Sequence, residues 1–409
     1  MAADPEALRA ALVENLRAKG CLRSGAIAEA FSTVPRHLFV PDVSVEEAYR
    51  NQWIATKRTT GGEVISSSSQ PEIMATMLEQ LDVQLGHRVL EIGAGTGYNA
   101  ALLARLVGPT GSVTTVDIDD DIVAAARAHL GVAGVAGVRV VCADGWTGLA
   151  AGALYDRIIV TVGAHDISPA WRSALTAGGR LVLPLSLPAV QACVAFAERD
   201  GVLESTSVRG CLFMRLRGVA AAPMRPVAVG PDPAPLVWPR GAHAVDGAVT
   251  LRLLETPPSE LSTDLVVPRT DLYDALVVWL GLQEPTSAWF TAQGRAMAAG
   301  LVPAFFDGSD EAVSTFGLFE TSGIALLVRG SAPSADKPGA DVPIGLRVHG
   351  DLDVGVRLRR ALLAWDRAGR PGLARLRIRA IPIEHPYEPT AGETVLVRMC
   401  TRLVLEWST

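Results

Sequence analysis

Fourteen residues constrain the fold of this chain more than any others: Arg88-Val89-Leu90-Glu91-Ile92-Gly93-Ala94-Gly95-Thr96-Gly97-Tyr98-Asn99-Ala100-Ala101. An apolar run holds one acid, three glycines follow at alternate positions, and an alanine-rich helical pattern begins. That order predicts a strand, a tight turn and a helix. Glycine in such a turn accepts positive φ and lets a ligand approach the backbone with no Cβ in the way. Glycine-rich turns are common, but this one sits at a strand-to-helix junction and has the acid Asp117 about twenty residues on, which points to a nucleotide-like ligand.

Strands and helices alternate on either side of the turn. Strands are expected at 88–92, 113–117, 138–142, 155–161 and 179–184, with helices at 97–107, 119–130 and 168–177. Such alternation implies a parallel, doubly wound α/β sheet that binds ligands at the carboxyl ends of its strands. The β-like segments 190–198 and 206–214 follow with no helix between them, so an antiparallel edge is expected. Ahead of the turn, helices are expected at 6–19 and 24–32, then a polar stretch over 56–70. Pro71 opens a helix with Ile73, Met77, Leu78 and Leu81 on one face, and the serines Ser66 to Ser69 are suited to cap it.

Composition shifts near residue 218. Pro223, Pro226, Pro231, Pro233, Pro235 and Pro239 predict a stiff linker or irregular wrap, which divides the chain into domains 1–218 and 219–409. The second reads as α+β: a strand at 247–255, a helix at 272–280, a strand at 324–329, a loop at 332–339, a helix at 353–368 and strands at 373–380 and 394–405. A length of 409 residues supports two cores. A net charge of −6 gives no reason to expect nucleic acid as a partner. The five cysteines are far apart and form no metal-ligand spacing, so no metal is expected and the thiols fit a reducing, cytoplasmic setting. No apolar run has membrane-spanning length. Oligomeric state is not legible.

A carboxylate at the end of the second strand of a doubly wound sheet can accept hydrogen bonds from both ribose hydroxyls, and Asp117 has that position. Asp119, Asp120 and Asp121 fit a helix N-terminus. Asp144, in Cys142-Ala143-Asp144-Gly145-Trp146, is placed to meet an adenine amino group, or else is a turn aspartate before glycine. The cofactor set read from the sequence is therefore Glu91, Gly93, Gly95, Gly97, Asp117, Asp144 and Gly145.

The G-x-G-x-G spacing with Glu91 ahead of it resembles the first motif of S-adenosylmethionine-dependent methyltransferases. The resemblance sharpens with Val34-Pro35-Arg36-His37-Leu38-Phe39-Val40-Pro41, Ser69-Gln70-Pro71, Ala143-Asp144-Gly145-Trp146-Thr147-Gly148-Leu149, Tyr155-Asp156-Arg157-Ile158-Ile159-Val160-Thr161 and Gly178-Gly179-Arg180-Leu181-Val182-Leu183-Pro184. In this order they resemble the protein-L-isoaspartate O-methyltransferase family over about residues 6–215. The resemblance implies a class I methyltransferase (Rossmann-like) fold, S-adenosylmethionine as donor, and a peptide or protein bearing aspartate or isoaspartate as acceptor. It also implies an active-site role for Ser69, with Ser68 and Gln70 beside it at the substrate. A carboxylate is already ionised at neutral pH, so no general base is needed. His37 and His165 are accordingly read as satisfied structural histidines.

Two departures bear on the acceptor. Ile65 is separated from Ser69 by three further serines, which lengthens the loop expected to cover the acceptor. Residues beyond 218 have no counterpart in the single-domain repair enzymes. Extended members resemble methyltransferases found with ribosomally made modified peptides such as lanthipeptides and graspetides. That likeness implies esterification of a precursor-peptide aspartate, leading to aspartimide or isoaspartate, with 219–409 recognising the peptide. Repair of isoaspartyl residues in damaged proteins is the alternative, and a non-catalytic peptide-binding fold is a second. Arg357, Arg359, Arg360, Arg367, Arg370, Arg375, Arg377 and Arg379 form either a peptide-docking surface or a solvated face.

Overall fold

The computed structural model describes residues 4–147, 152–221, 226–231, 234–239, 244–306, 312–330 and 341–408. Gly148 and Leu149 of the third motif, the linker prolines Pro223 and Pro233, and the 332–339 loop lie outside them. The chain divides into two compact units. One comprises 1–186, 191–222 and 377–406, the other 187–190, 223–376 and 407–409. A single cut at 218 therefore misplaces the last thirty or so residues, which return to the first sheet for the reason given below.

The first unit opens with α1 (Pro5–Ala18), α2 (Gly25–Thr33) and the one-turn α3 (Val45–Ala48). The polar stretch that follows is a hairpin of β1 (Ile54–Arg58) and β2 (Val64–Ser68), pairing Ile54 with Ser68. Period-two burial along β2 explains the serine run: Ser66 and Ser68 are buried, at 6% and 3% exposure, while Ser67 and Ser69 are only partly so. The serines thus build a strand and do not cap the next helix, α4 (Pro71–Leu81). Its N-cap is Gln70, which makes no side-chain cap bond, and Pro71 sits in the first turn.

The alternation then appears as β3 (Arg88–Ile92), α5 (Tyr98–Val107), β4 (Ser112–Asp117), α6 (Asp120–Val132), β5 (Val138–Cys142), β6 (Tyr155–Val160), α7 (Pro169–Ser173), β7 (Leu175–Ser186), β8 (Gln191–Arg199) and β9 (Val202–Cys211). α7 is shorter than expected because β7 starts at Leu175 and takes the residues a longer helix would need. β3 to β7 are mutually parallel, in the order β7-β6-β3-β4-β5, and β8 and β9 extend β7 antiparallel. Val89, Leu90 and Ile92 are all at most 2% exposed, as a central strand covered on both faces requires.

The second unit is a seven-stranded antiparallel sheet among the described residues. Its elements are β10 (Val227–Ala228), β11 (Leu236–Pro239), α8 (Gly247–Leu254), β12 (Ser259–Val267), α9 (Arg269–Asp271), α10 (Val278–Gln283), β13 (Ser287–Gln293), α11 (Gly294–Ala298), β14 (Ala312–Phe319), β15 (Gly323–Arg329), β16 (Val342–Gly350) and α12 (Leu352–Arg367). The sheet order is β10-β11-β13-β14-β15-β16-β12. The proline-rich stretch is thus no plain linker, since it supplies the edge strand β10 and its neighbour β11, which pairs with β13. Residues 247–255, expected as a strand, form helix α8 because the Asp246 carboxylate accepts from the amides of Ala248 and Val249. A π-turn, Leu272–Val277, precedes α10 in place of a continuous α-helix. Alternation on β15 places Ala325 and Leu327 against α12, with Leu358, Leu362 and Trp365. Ile324 and Leu326 face the opposite cluster, with Val237 and Leu254.

Beyond α12 the chain forms β17 (Leu376–Pro382), β18 (Thr394–Val397) and β19 (Thr401–Trp407). β17 pairs antiparallel with β9, matching Ala380 to Leu203, and the first sheet continues β9-β17-β19-β18. An unpaired β9 would expose a row of backbone donors and acceptors, which β17 satisfies.

Candidate active site

At the turn after β3, Gly93, Gly95 and Gly97 have φ of 100°, 49° and 85°. Side-chain residues resist these values. Space matters as well at Gly93, where a Cβ would lie 2.5 Å from Thr161 Oγ1. The Thr161 hydroxyl is directed at the Ile92 and Gly93 carbonyls, at 3.0 and 2.8 Å, tying the end of β6 to the turn. A Cβ on Gly95 would sit 3.5 Å from the Ser67 carbonyl, so the β1–β2 hairpin passes over the turn.

Asp117 ends β4 with its carboxylate facing the turn. It accepts from the amides of Gly95 at 3.1 Å, Ile118 at 2.9 Å and Asp119 at 3.5 Å, and burial pushes its pKa up. Two of these donors share Oδ1, while Oδ2, with Gly95 alone, retains a lone pair for a hydroxyl donor. Placed beside the glycine turn, this carboxylate fits the ribose of an adenosyl ligand. Glu91 takes a different position from the one expected of a cofactor contact. It is fully buried, accepting from Asn99 Nδ2 at 2.7 Å and Thr115 Oγ1 at 2.6 Å, and burial lifts its pKa to about 7. It braces the turn from beneath.

Asp144 accepts one hydrogen bond on each oxygen. Oδ1 accepts from Trp146 N and Oδ2 from Val219 N, each at 2.9 Å. The first bond is that of a turn aspartate, and the second draws the segment after β9 across the end of β5. Gly145 is buried; a Cβ there would lie 2.5 Å from Ile92 Cγ2, and its carbonyl accepts from Trp171 Nε1 at 2.7 Å. It is required for packing under the site.

The β1–β2 hairpin and the residues after it are held by groups that sequence reasoning passed over. Arg36 is completely buried, and its Nη2 donates to the carbonyls of Ser69 at 3.1 Å and Gln52 at 3.3 Å, closing the base of the hairpin. Its Nε and Nη1 have no partner, the guanidinium lies over the Tyr98 ring, and burial lowers its pKa to about 10. The Gln70 side chain donates to Asn51 O at 3.1 Å. At the far end of the hairpin, Lys57 bridges Asp119 at 2.9 Å and Asp121 at 2.7 Å, while Arg217 also grips Asp119, holding its pKa down. The acidic run thus ties down two segments beside the end of β4, beyond opening a helix. The buried Arg36 could have been suspected from its place in an apolar motif. Lys57 and Arg217 carry no local signal, since their partner is about sixty and a hundred residues away.

α4 fixes where Ser69 lies. Its C-terminal carbonyls, Gln80 O and Leu81 O, accept from Arg180 and Arg157 low on β7 and β6, at 2.8 Å each. Eleven residues of helix span about 16 Å, so its N-terminus, with Ser69 and Gln70, stands at the carboxyl ends of β6 and β7. Ser68 is buried with no partner for its hydroxyl, so of the two serines Ser69 is the accessible one. His37 bonds Tyr49 Oη at 2.9 Å and His165 takes a hydrogen bond from Arg398 at 2.7 Å, both as structural histidines.

Comparison with known proteins agrees with this geometry. Residues 7–220 match the family model for protein-L-isoaspartate(D-aspartate) O-methyltransferase. A protein-L-isoaspartate O-methyltransferase of Methanopyrus kandleri is 39% identical over 223 residues, covering 53% of this chain and 96% of the relative. Another, of Hyperthermus butylicus, is 38% identical over 219 residues, covering 51% and 88%. A solved protein-L-isoaspartate O-methyltransferase superposes with a TM-score of 0.50 at 24% identity, over 91% of this chain and 96% of its own, a likeness of fold. With a class I methyltransferase fold and S-adenosylmethionine as its methyl donor, this chain belongs to the protein-L-isoaspartate O-methyltransferase family.

Proposed function

We propose that this enzyme esterifies the side-chain carboxylate of L-isoaspartyl residues in peptides and proteins. The observation that carries the reading is the placement of Ser69: pinned through its carbonyl by Arg36, at the carboxyl ends of β6 and β7, on a hairpin that crosses the glycine turn. S-adenosylmethionine supplies a sulfonium methyl, a strong electrophile. Asp117, beside the glycine turn, would hold its adenosyl portion. Ser69 would hold the acceptor by its hydroxyl, without acting as a nucleophile. A carboxylate is ionised at neutral pH, so what the chain contributes is alignment and exclusion of water. The half-buried Asp117 and the hairpin strapped by Lys57 to Asp119 and Asp121 serve those ends.

A second reading is esterification of an ordinary aspartate in a ribosomally made precursor peptide, with the second unit recognising that peptide. The long serine strand and the residues beyond 220 favour it. Against it, a solved protein-L-isoaspartate O-methyltransferase aligns with most of this chain, so extra length alone does not mark a peptide-tailoring enzyme. On α12, Arg359, Arg360 and Arg367 are solvent-exposed, whereas Arg357 is tied to Glu284 and Glu320 and Arg370 to Asp366. Any basic docking face is narrower than the sequence implied.

The test is methyl transfer to a matched pair of peptides, one isoaspartyl and one aspartyl, followed by mass. Preference for the isoaspartyl peptide, lost in Ser69→Ala with donor binding intact, supports the reading. Preference for the aspartyl peptide replaces it with the second.

A further inference from the structure

The strands at the end of the chain lie outside the family match at 7–220, yet they belong to the methyltransferase unit. The turn between β18 and β19, Val397-Arg398-Met399-Cys400, is docked on the segment after β6. Asp166, 5% exposed, accepts from its neighbour Ile167 N at 2.8 Å, from Cys400 N at 2.6 Å and from the Thr401 hydroxyl. Arg398 donates to His165 at 2.7 Å and to Ser186 O, the last residue of β7, at 3.2 Å. β19 stands four places from β7 in the sheet, so the hairpin reaches over the strand ends to make these bonds.

The segment it lands on is continuous with the site. Thr161 bonds the glycine turn, and a Cβ on Gly93 would lie 3.3 Å from Val162 Cγ1. Ala164 bridges Leu185, and His165 and Asp166 follow directly. Ser69, by the direction of α4, is at this same end of β6 and β7. What the anchored turn displays there is apolar: Val397 and Met399 are 67% and 66% exposed on either side of Arg398. Turns favour Gly, Asn, Asp, Ser and Pro, and a turn has no structural need for two exposed apolar side chains. Nor do these two hold the hairpin, since Asp166 and Arg398 do that. Leu212, just past the end of β9, is 89% exposed and level with Ser186 through the β7-β8-β9 register.

We propose that Val397 and Met399 form a specificity surface for the acceptor, contacting apolar side chains that flank the methylated residue. The inference rests on the acceptor site being at Ser69. Because both side chains are exposed and unneeded for docking, charged replacements leave the fold intact, and the effect falls on acceptor binding.

The experiment uses the full chain and the variants Val397→Asp, Met399→Asp and the double. The probes are an isoaspartyl hexapeptide with leucine on both sides of the acceptor residue and the same peptide with glycine flanks. The wild type should favour the leucine-flanked peptide in kcat/KM. The double variant should raise KM for that peptide tenfold or more, hold kcat within twofold, and abolish the preference, with S-adenosylmethionine affinity unchanged. Val397→Leu and Met399→Leu should retain it. An unchanged preference in the double variant overturns the inference. If Ser69→Ala still lowers turnover in that case, the acceptor reading survives alone. If Ser69→Ala has no effect either, both fall.

Discussion

Gly93→Ala tests the glycine turn most directly, because the structure gives both parts of its cost. A side chain held at a φ of 100° costs about 1–2 kcal/mol in backbone strain. The new Cβ meets the Thr161 hydroxyl at 2.5 Å, so that hydroxyl must turn away from the carbonyls of Ile92 and Gly93, losing a further ~1 kcal/mol. The total is about 2–3 kcal/mol, and at roughly 2–4 °C per kcal/mol for a large domain the unfolding midpoint should fall by about 4–12 °C. Thr161→Ala alone should cost about 1 kcal/mol. The double variant should cost about as much as Gly93→Ala by itself, because one bond cannot be lost twice, leaving a coupling of about 1 kcal/mol. Urea unfolding followed by tryptophan fluorescence measures all three. Strict additivity would refute the argument, since it would mean the Cβ and the hydroxyl do not meet.

Asp117→Asn should weaken S-adenosylmethionine binding by about ten- to a hundredfold, the scale of charge-assisted hydrogen bonds, and calorimetric titration reads it directly. Glu91 has its pKa raised to about 7 from 4.5, so the folded state favours the protonated carboxyl. The associated stability is complete below pH 4.5 and is lost as pH rises to about 7, on the order of 3 kcal/mol. Glu91→Gln removes that loss, so its melting temperature relative to wild type should climb between pH 5 and pH 8; a flat difference would contradict the assignment. Arg36→Met deletes a buried cation with two unpartnered nitrogens. The melting temperature should shift by only a few degrees, whereas turnover should fall at least tenfold with the Ser69 carbonyl released, as initial rates and a thermal melt would show.

Much of the parallel sheet was legible because β3 to β7 carry local apolar runs and the glycine turn marks the point where strand becomes helix. The candidate site was legible where a residue's position is set by its neighbours in sequence, as for Asp117 at the end of β4, facing the glycine turn. Glu91 shows the limit. Its position next to the glycines matched a ligand contact, but strand alternation turns its side chain into the core, toward Thr115 and Asn99. The serines misled for the same reason, since β2 hides every second one. α8 was misread because Val, Thr and Leu suit either element and the deciding Asp246 cap lies just outside the apolar run. The return of β17 to β9 had no trace at all in local pattern, since pairing over more than 170 residues depends on an edge left open elsewhere.

That late return affects how the chain is made. β17, β18 and β19 belong to a sheet whose other strands are all translated before residue 223, and nearly all of the second unit, residues 223–376, is synthesised in between. At about 5–20 residues per second, the ribosome leaves β9 as a bare edge for on the order of ten to thirty seconds. The nascent methyltransferase unit is therefore open to pairing with another chain throughout that interval, and truncation near 218 makes the exposure permanent.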